Sequence, residues 1–184
     1  MVMLSKKNIL FIFYLFACLS FSISDMYAKD GQVGEIKIRG RLVAEPCTLR
    51  PGDELITVDF KEIVDKYLYR NIESPAEYFD IHLDNCDNSL FKNISVIFYG
   101  NEKHENDEIL ETDSGSVYGI GIGIYNLSGQ PVKLNKKTGV RKFENGTNIL
   151  GFYARVIADA DAVVNKNIGL GVFSATVIFT LVYD

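Results

Sequence analysis

Apolar and polar positions alternate with a period of two along most of this chain, the pattern of strands that bury one face. Ile36, Ile38, Gly40 and Leu42 alternate with Lys37, Arg39 and Arg41, and Ile56, Val58 and Phe60 alternate with Thr57 and Asp59. Tyr78-Phe79-Asp80-Ile81-His82-Leu83 runs into Asn85-Cys86, and Ile94-Ser95-Val96-Ile97-Phe98-Tyr99 reads as a buried strand ended by Gly100. From Gly119 to Tyr125 every second residue is glycine or apolar, which predicts a strand with something packed closely on its glycine face. Leu127-Ser128-Gly129-Gln130 predicts a turn that lets Pro131 to Leu134 return as a short hairpin partner, and Leu150 to Ile157 predicts another strand. Two segments predict loops: the acidic and polar stretch 101–116, and the mixed stretch 158–166. The chain closes on a strand whose Phe173, Ala175, Val177, Phe179, Leu181 and Tyr183 share one face. An apolar strand of this kind demands a covered face and two paired edges. Short strands at such spacing predict an all-β sandwich.

The N-terminus departs from this pattern. Lys6 and Lys7 precede an apolar run from Ile9 to Ile23, followed at once by Ser24-Asp25. The run falls short of the ~20 residues of a membrane-spanning helix, so residues 1–28 predict a secretory signal peptide. Cleavage after Ala28 leaves a small residue at the cut, with Ser24 as the alternative. Leu15-Phe16-Ala17-Cys18 has the outline of a lipoprotein box, but the apolar run continues past Cys18, which assigns that cysteine to the discarded segment.

Export changes the reading of the two remaining cysteines. Cys47 and Cys86, an even pair in an exported chain, predict a disulfide, and closing a loop of about forty residues stabilises by roughly 4 kcal/mol on loop-closure entropy. The chain carries 19 Lys and Arg against 24 Asp and Glu, for a net charge of −5. Its basic residues are scattered, so no nucleic-acid partner is expected.

Candidate chemistry adds little. The chain has two histidines, His82 and His104. His82 alternates with Asp80 on the polar side of its strand, as a surface residue would. Glu105 to Glu108 lacks the alternating oxygen ligands and the glycine of a calcium loop. Asp159 and Asp161 are a carboxylate pair without a recognisable cleft. No nucleophile elbow, zinc helix or phosphate loop is present. No enzyme, catalytic residue, metal or cofactor is expected.

The ordered set from Ile38-Arg39-Gly40-Arg41-Leu42-Val43 through Pro46-Cys47-Thr48-Leu49, Ile81-His82-Leu83-Asp84-Asn85-Cys86 and Gly119-Ile120-Gly121-Ile122 to the strand ending at Tyr183 resembles subunits of chaperone–usher fimbriae. The charged stretch Lys66 to Arg70, followed by Glu73-Ser74-Pro75, looks more like minor, adaptor-type pilins. The resemblance implies an incomplete immunoglobulin-like β-sandwich that lacks its last strand. It implies signal peptide 1–28, an N-terminal donor-strand extension 29–43 and a pilin domain 44–184. Ile36, Ile38, Gly40 and Leu42 would form the donor strand. Phe173, Ala175, Val177, Phe179, Leu181, Tyr183 and Asp184 would form the groove edge that a periplasmic pilus chaperone binds, with the Asp184 terminal carboxylate held by basic chaperone residues. An outer-membrane usher and neighbouring pilin subunits are the other implied partners. The implied role is a structural subunit of a surface fimbrium that polymerises by donor-strand complementation and contributes to cell adhesion. Three alternatives stay open: Ile36 to Leu42 as the first strand of a complete domain, a carbohydrate-binding tip adhesin domain, and a free-standing secreted immunoglobulin-like module.

Overall fold

The computed structural model describes residues 36–42, 44–113, 115 and 117–184. The predicted signal peptide, both predicted cleavage points and Cys18 lie outside them. The chain divides into two units, residues 1–42 and 43–184. In the first, residues 36–42 belong to no strand, and Ile36, Ile38 and Leu42 are exposed at 88%, 91% and 101%.

The second unit is built from β1 (Thr48–Leu49), α1 (Asp65–Asn71), β2 (Glu77–Cys86), β3 (Asn93–Tyr99), β4 (Glu102–Lys103), β5 (Asn106–Glu111), β6 (Ile120–Asn126), β7 (Arg141–Lys142), β8 (Gly146–Ala158), α2 (Ala160–Asn165) and β9 (Ile178–Tyr183). One sheet runs β1-β2-β8-β6-β5-β4 and the other β7-β3-β9, with every pair antiparallel. Period-two alternation turns Ile81, Leu83, Phe152, Val156, Ile120 and Ile124 of the first sheet inward, onto Ile94, Val96 and Phe98 of the second. At the centre Phe98 meets Phe152 edge-on with ring centroids 5.1 Å apart, and Phe79 stacks on Phe152 at 5.8 Å. Such ring pairs add about 1 kcal/mol each to the area they bury. Cys47 and Cys86 are disulfide-bonded, tying the residue before β1 to the end of β2.

Several sequence expectations need correction. Residues 101–116 are not a solvated excursion: they contain β4 and β5, and Leu110 is buried. The hairpin between them turns on His104 and Glu105, with φ of 50° and 59°. Turns of this hand favour glycine and asparagine, so a His-Glu pair gives no sequence signal. Within 158–166 the chain forms α2, whose Ala162 is buried against Gly119, and it stops where Lys166 takes the left-handed conformation. The stretch 66–70 lies inside α1, with Asp65 in its first turn, Arg70 in its last and Leu68 buried. Ile56 to Phe60 keeps its alternation, half-buried at Ile56, Val58 and Phe60, but pairs with no strand. The terminal strand is shorter than its apolar row, because its partner β3 stops at Tyr99, opposite Ile178. After Gly100 the chain leaves for the other sheet, so residues 171–177 find no ladder there.

Candidate functional site: an open apolar edge

β9 pairs with β3 on one side and, among the described residues, with nothing on the other. The apolar row that runs into it, Phe173, Ala175 and Val177 before the strand and Phe179, Leu181 and Tyr183 within it, packs against the core yet stays only half-buried. A second row, Ile56, Val58, Phe60 and Ile63, is also half-buried and also lies against the core. Phe60 and Phe173 meet with ring centroids 6.2 Å apart, and at the other end the Glu45 carboxylate acts on the Tyr183 phenol. The end of the Ile56–Ile63 row thus meets the start of the row that runs into β9, and among the described residues neither row has a strand on its open edge. This is the geometry of a sheet with one strand missing, where unpaired backbone groups and half-covered apolar side chains share a groove.

At the Phe60 end a cavity of ≈ 300 Å³ opens among Phe60, Ile63, Val64, Tyr67, Pro75 and Glu77. At the other end the Tyr183 ring sits between Phe91 and Phe143, with centroids 6.4 and 5.8 Å away. Its hydroxyl is buried and has no hydrogen-bond partner among the described residues. Burial, and then the Glu45 charge, push the Tyr183 phenol up to about 12. Asp184 follows the strand: an oxygen of its terminal carboxylate accepts from the Lys92 and Asn93 amides at 3.1 and 3.0 Å. Its side-chain carboxylate lies 3.1 Å from Lys137 Nζ.

Of the predicted groove-edge residues, Phe179, Leu181 and Tyr183 lie in β9, Phe173, Ala175 and Val177 precede it outside any strand, and Asp184 follows it. The predicted donor residues Ile36, Ile38, Gly40 and Leu42 belong to the other unit. The opposing row of Ile56 to Ile63 was legible as alternation, but not as a groove wall, because its unpaired state is a tertiary property. His82 is half-buried instead of lying freely on the surface. Its Nδ1 and its amide both approach Asp53 Oδ2, at 2.9 and 2.6 Å. The amide hydrogen bond, assisted by the imidazole, holds the Asp53 carboxyl below the usual carboxylate range. Among the described residues no group of three or more His, Cys, Asp or Glu side chains could hold a metal ion.

The Fimbrial protein family model matches residues 36–184, and the chain belongs to that family. It is 32% identical over 167 residues to PmfF of Proteus mirabilis, named as a minor fimbrial subunit, covering 89% of this chain and 91% of PmfF. It is 28% identical over 167 residues to the Fimbria A protein of Serratia marcescens, covering 90% and 94%. The fold is similar to that of the P pilus rod subunit PapA, with a TM-score of 0.66 at 23% identity, over 76% of this chain and 100% of that one. The chain is a structural subunit of a surface fimbrium rather than an enzyme, and other fimbrial subunits are its partners.

Proposed function

We propose that the groove between Ile56–Ile63 and β9 accepts a strand from outside the domain, first from a periplasmic chaperone and then, at an outer-membrane usher, from the N-terminal extension of a neighbouring subunit. The observation that carries this reading is the pair of half-buried apolar rows with no strand between them among the described residues. A strand laid between them would give β9 its second ladder and cover both rows, which removes two costs at once. Residues 29–43 are the corresponding donor for another subunit. Ile36, Ile38 and Leu42 project to one side of the extended segment, with Gly40 on the same face allowing close approach. The predicted signal peptide, and the disulfide, which needs an oxidising compartment, support passage through the periplasm.

Removal of residues 172–184 tests the chaperone step. The truncated chain should no longer co-purify with the chaperone and should be degraded in the periplasm. If it were still captured, the binding edge would have to lie elsewhere.

A further inference from the structure

Carboxylates frame the groove beside β9. Glu45 stands at the Tyr183 end, where its charge acts on the phenol. Asp59 alternates with Val58 and Phe60, which pack on the core, so its exposed carboxylate lies on the face turned away from the core. The exposed Glu62 and the half-buried Glu77 line the cavity at the Phe60 end, beside Lys61. Among the described residues none of these four acids forms an ion pair. The other wall brings no charge that could balance them. Phe179, Leu181 and Tyr183 of β9 pack on the core, which turns Ile178, Thr180 and Val182 outward, and the Asp184 side chain beyond them is paired with Lys137 at 3.1 Å.

The N-terminal extension carries the opposite charge in the matching place. Residues 29–43 hold Lys29, Lys37, Arg39 and Arg41 against Asp30 and Glu35, although the whole chain has a net charge of −5. Lys37, Arg39 and Arg41 alternate with the apolar side chains of 36–42. With Ile36, Ile38 and Leu42 laid into a groove, those three cations would stand outward in the same layer as Asp59, and their alkyl stems would lie over Ile178 and Val182.

We propose that the acidic rim of Glu45, Asp59, Glu62 and Glu77 selects a donor strand with a basic outward face, so that the strand entering this groove comes from a second copy of this chain. The proposal rests on the strand-addition reading above and adds which strand is taken. Opposite charges on neighbouring strands stabilise their pairing and like charges oppose it. Charges at a rim act mostly on the rate of encounter, and salt screens them. A donor with a neutral or acidic outward face lacks this advantage, which favours runs of this chain over junctions with an unlike subunit.

Peptide insertion tests the rim. The purified full chain carrying Ile36→Asp and Ile38→Asp offers the groove without a competing donor of its own, and labelled peptides of residues 29–43 report binding by fluorescence anisotropy. At low ionic strength the parent peptide should associate about tenfold faster, or more, than one carrying Lys37→Glu, Arg39→Glu and Arg41→Glu, and about 0.5 M salt should close most of that gap. Asp59→Lys with Glu62→Lys in the acceptor should reverse the preference, which a merely structural role for these exposed acids would not do. Equal rates for the two peptides at low salt would overturn the proposal and leave the groove a strand acceptor. Insertion of neither peptide would overturn the strand-addition reading itself, and the proposal with it. A second measurement in cells does not depend on the Ile36→Asp, Ile38→Asp chain. There the chain with the three Glu substitutions should form few fibres, and adding Asp59→Lys and Glu62→Lys to it should restore them. An undiminished fibre count for the triple variant would likewise overturn the proposal.

Discussion

Two single groups carry energetic information that the alternation pattern does not. The Tyr183 hydroxyl is buried without a hydrogen-bond partner among the described residues, and such a group costs about 1–3 kcal/mol. Tyr183→Phe should therefore leave the urea midpoint of the purified subunit unchanged or raise it, where truncation of a core side chain would lower it. The pH dependence follows from the same burial. The phenol is raised from its ordinary value of 10.0 to about 12, so it contributes stability below pH 10 that is lost as pH rises toward 12. Tyr183→Phe should flatten that alkaline loss, and an unchanged alkaline profile would show that other tyrosines dominate it. Asp53 works at the acid end with the opposite sign. Its carboxyl is lowered from 3.8, chiefly by the His82 amide and then by the His82 ring, so the stability it gives is present above that value and lost as pH falls through its folded-state pKa. Asp53→Asn should lower stability at neutral pH and make acid unfolding shallower, as followed by circular dichroism. Neither residue could be singled out in the sequence: Tyr183 reads there as one more member of an apolar row, and Asp53 lies 29 positions from its partner.

At the scale of elements, strands with strict alternation were legible and those made by unusual turns were not. The glycines of β6 show why the first kind succeeds. A Cβ at Gly121 would run into the Ile109 side chain and lie 3.2 Å from the Leu110 carbonyl oxygen of β5, so the glycine face is where the β4–β5 hairpin lies against its neighbour. Gly121→Ala should destabilise by about 1–3 kcal/mol, because one of the blocking atoms is backbone and cannot rotate away. The same hairpin was invisible because its turn uses His104 and Glu105, and because its Lys103 reads as a solvated residue. In the structure Lys103 is 7% exposed, its ammonium meeting the Ile120 carbonyl oxygen and, at 2.9 Å, the Asp159 carboxylate. Removing one partner of such a pair strands the other charge, whereas an apolar replacement of similar length strands only the more exposed acid. Asp159→Asn should thus cost about 2 kcal/mol, discounted because Asp159 reaches solvent, and Lys103→Met should cost less. A chemical-denaturation series on the two variants would settle the order, and a larger loss for Lys103→Met would refute this account of the pair.

For the whole molecule, one side of the missing strand was readable from the run ending at Tyr183, since an apolar terminal strand cannot be left with both an open face and an open edge. The other side was readable only as alternation, because no local pattern records that Ile56 to Phe60 crosses the fold without a ladder. What fills the space is then a question of which segment has three apolar side chains on one face and no place of its own. Ile36, Ile38 and Leu42 meet that description, being exposed and outside any strand. In the proposed donor role, burying three such side chains in a neighbour's groove would contribute roughly 5–8 kcal/mol before ordering costs, with the backbone ladder added to that. Lys37, Arg39 and Arg41 fall on the opposite side of the segment, which suits a strand with one solvated face. Joint substitution of Ile36 and Ile38 by Asp separates the two roles the segment could have. A donor strand contributes nothing to its own domain, so chaperone capture and disulfide formation should proceed as in the parent chain, while fibres should stop at the junction that needs this extension. Counting fibres by electron microscopy and chaperone complexes by co-purification gives the two readouts independently. If the double variant instead failed to fold with its chaperone, residues 36–42 would belong to the core of this domain, and the groove beside β9 would have to be filled by the chain that borders it.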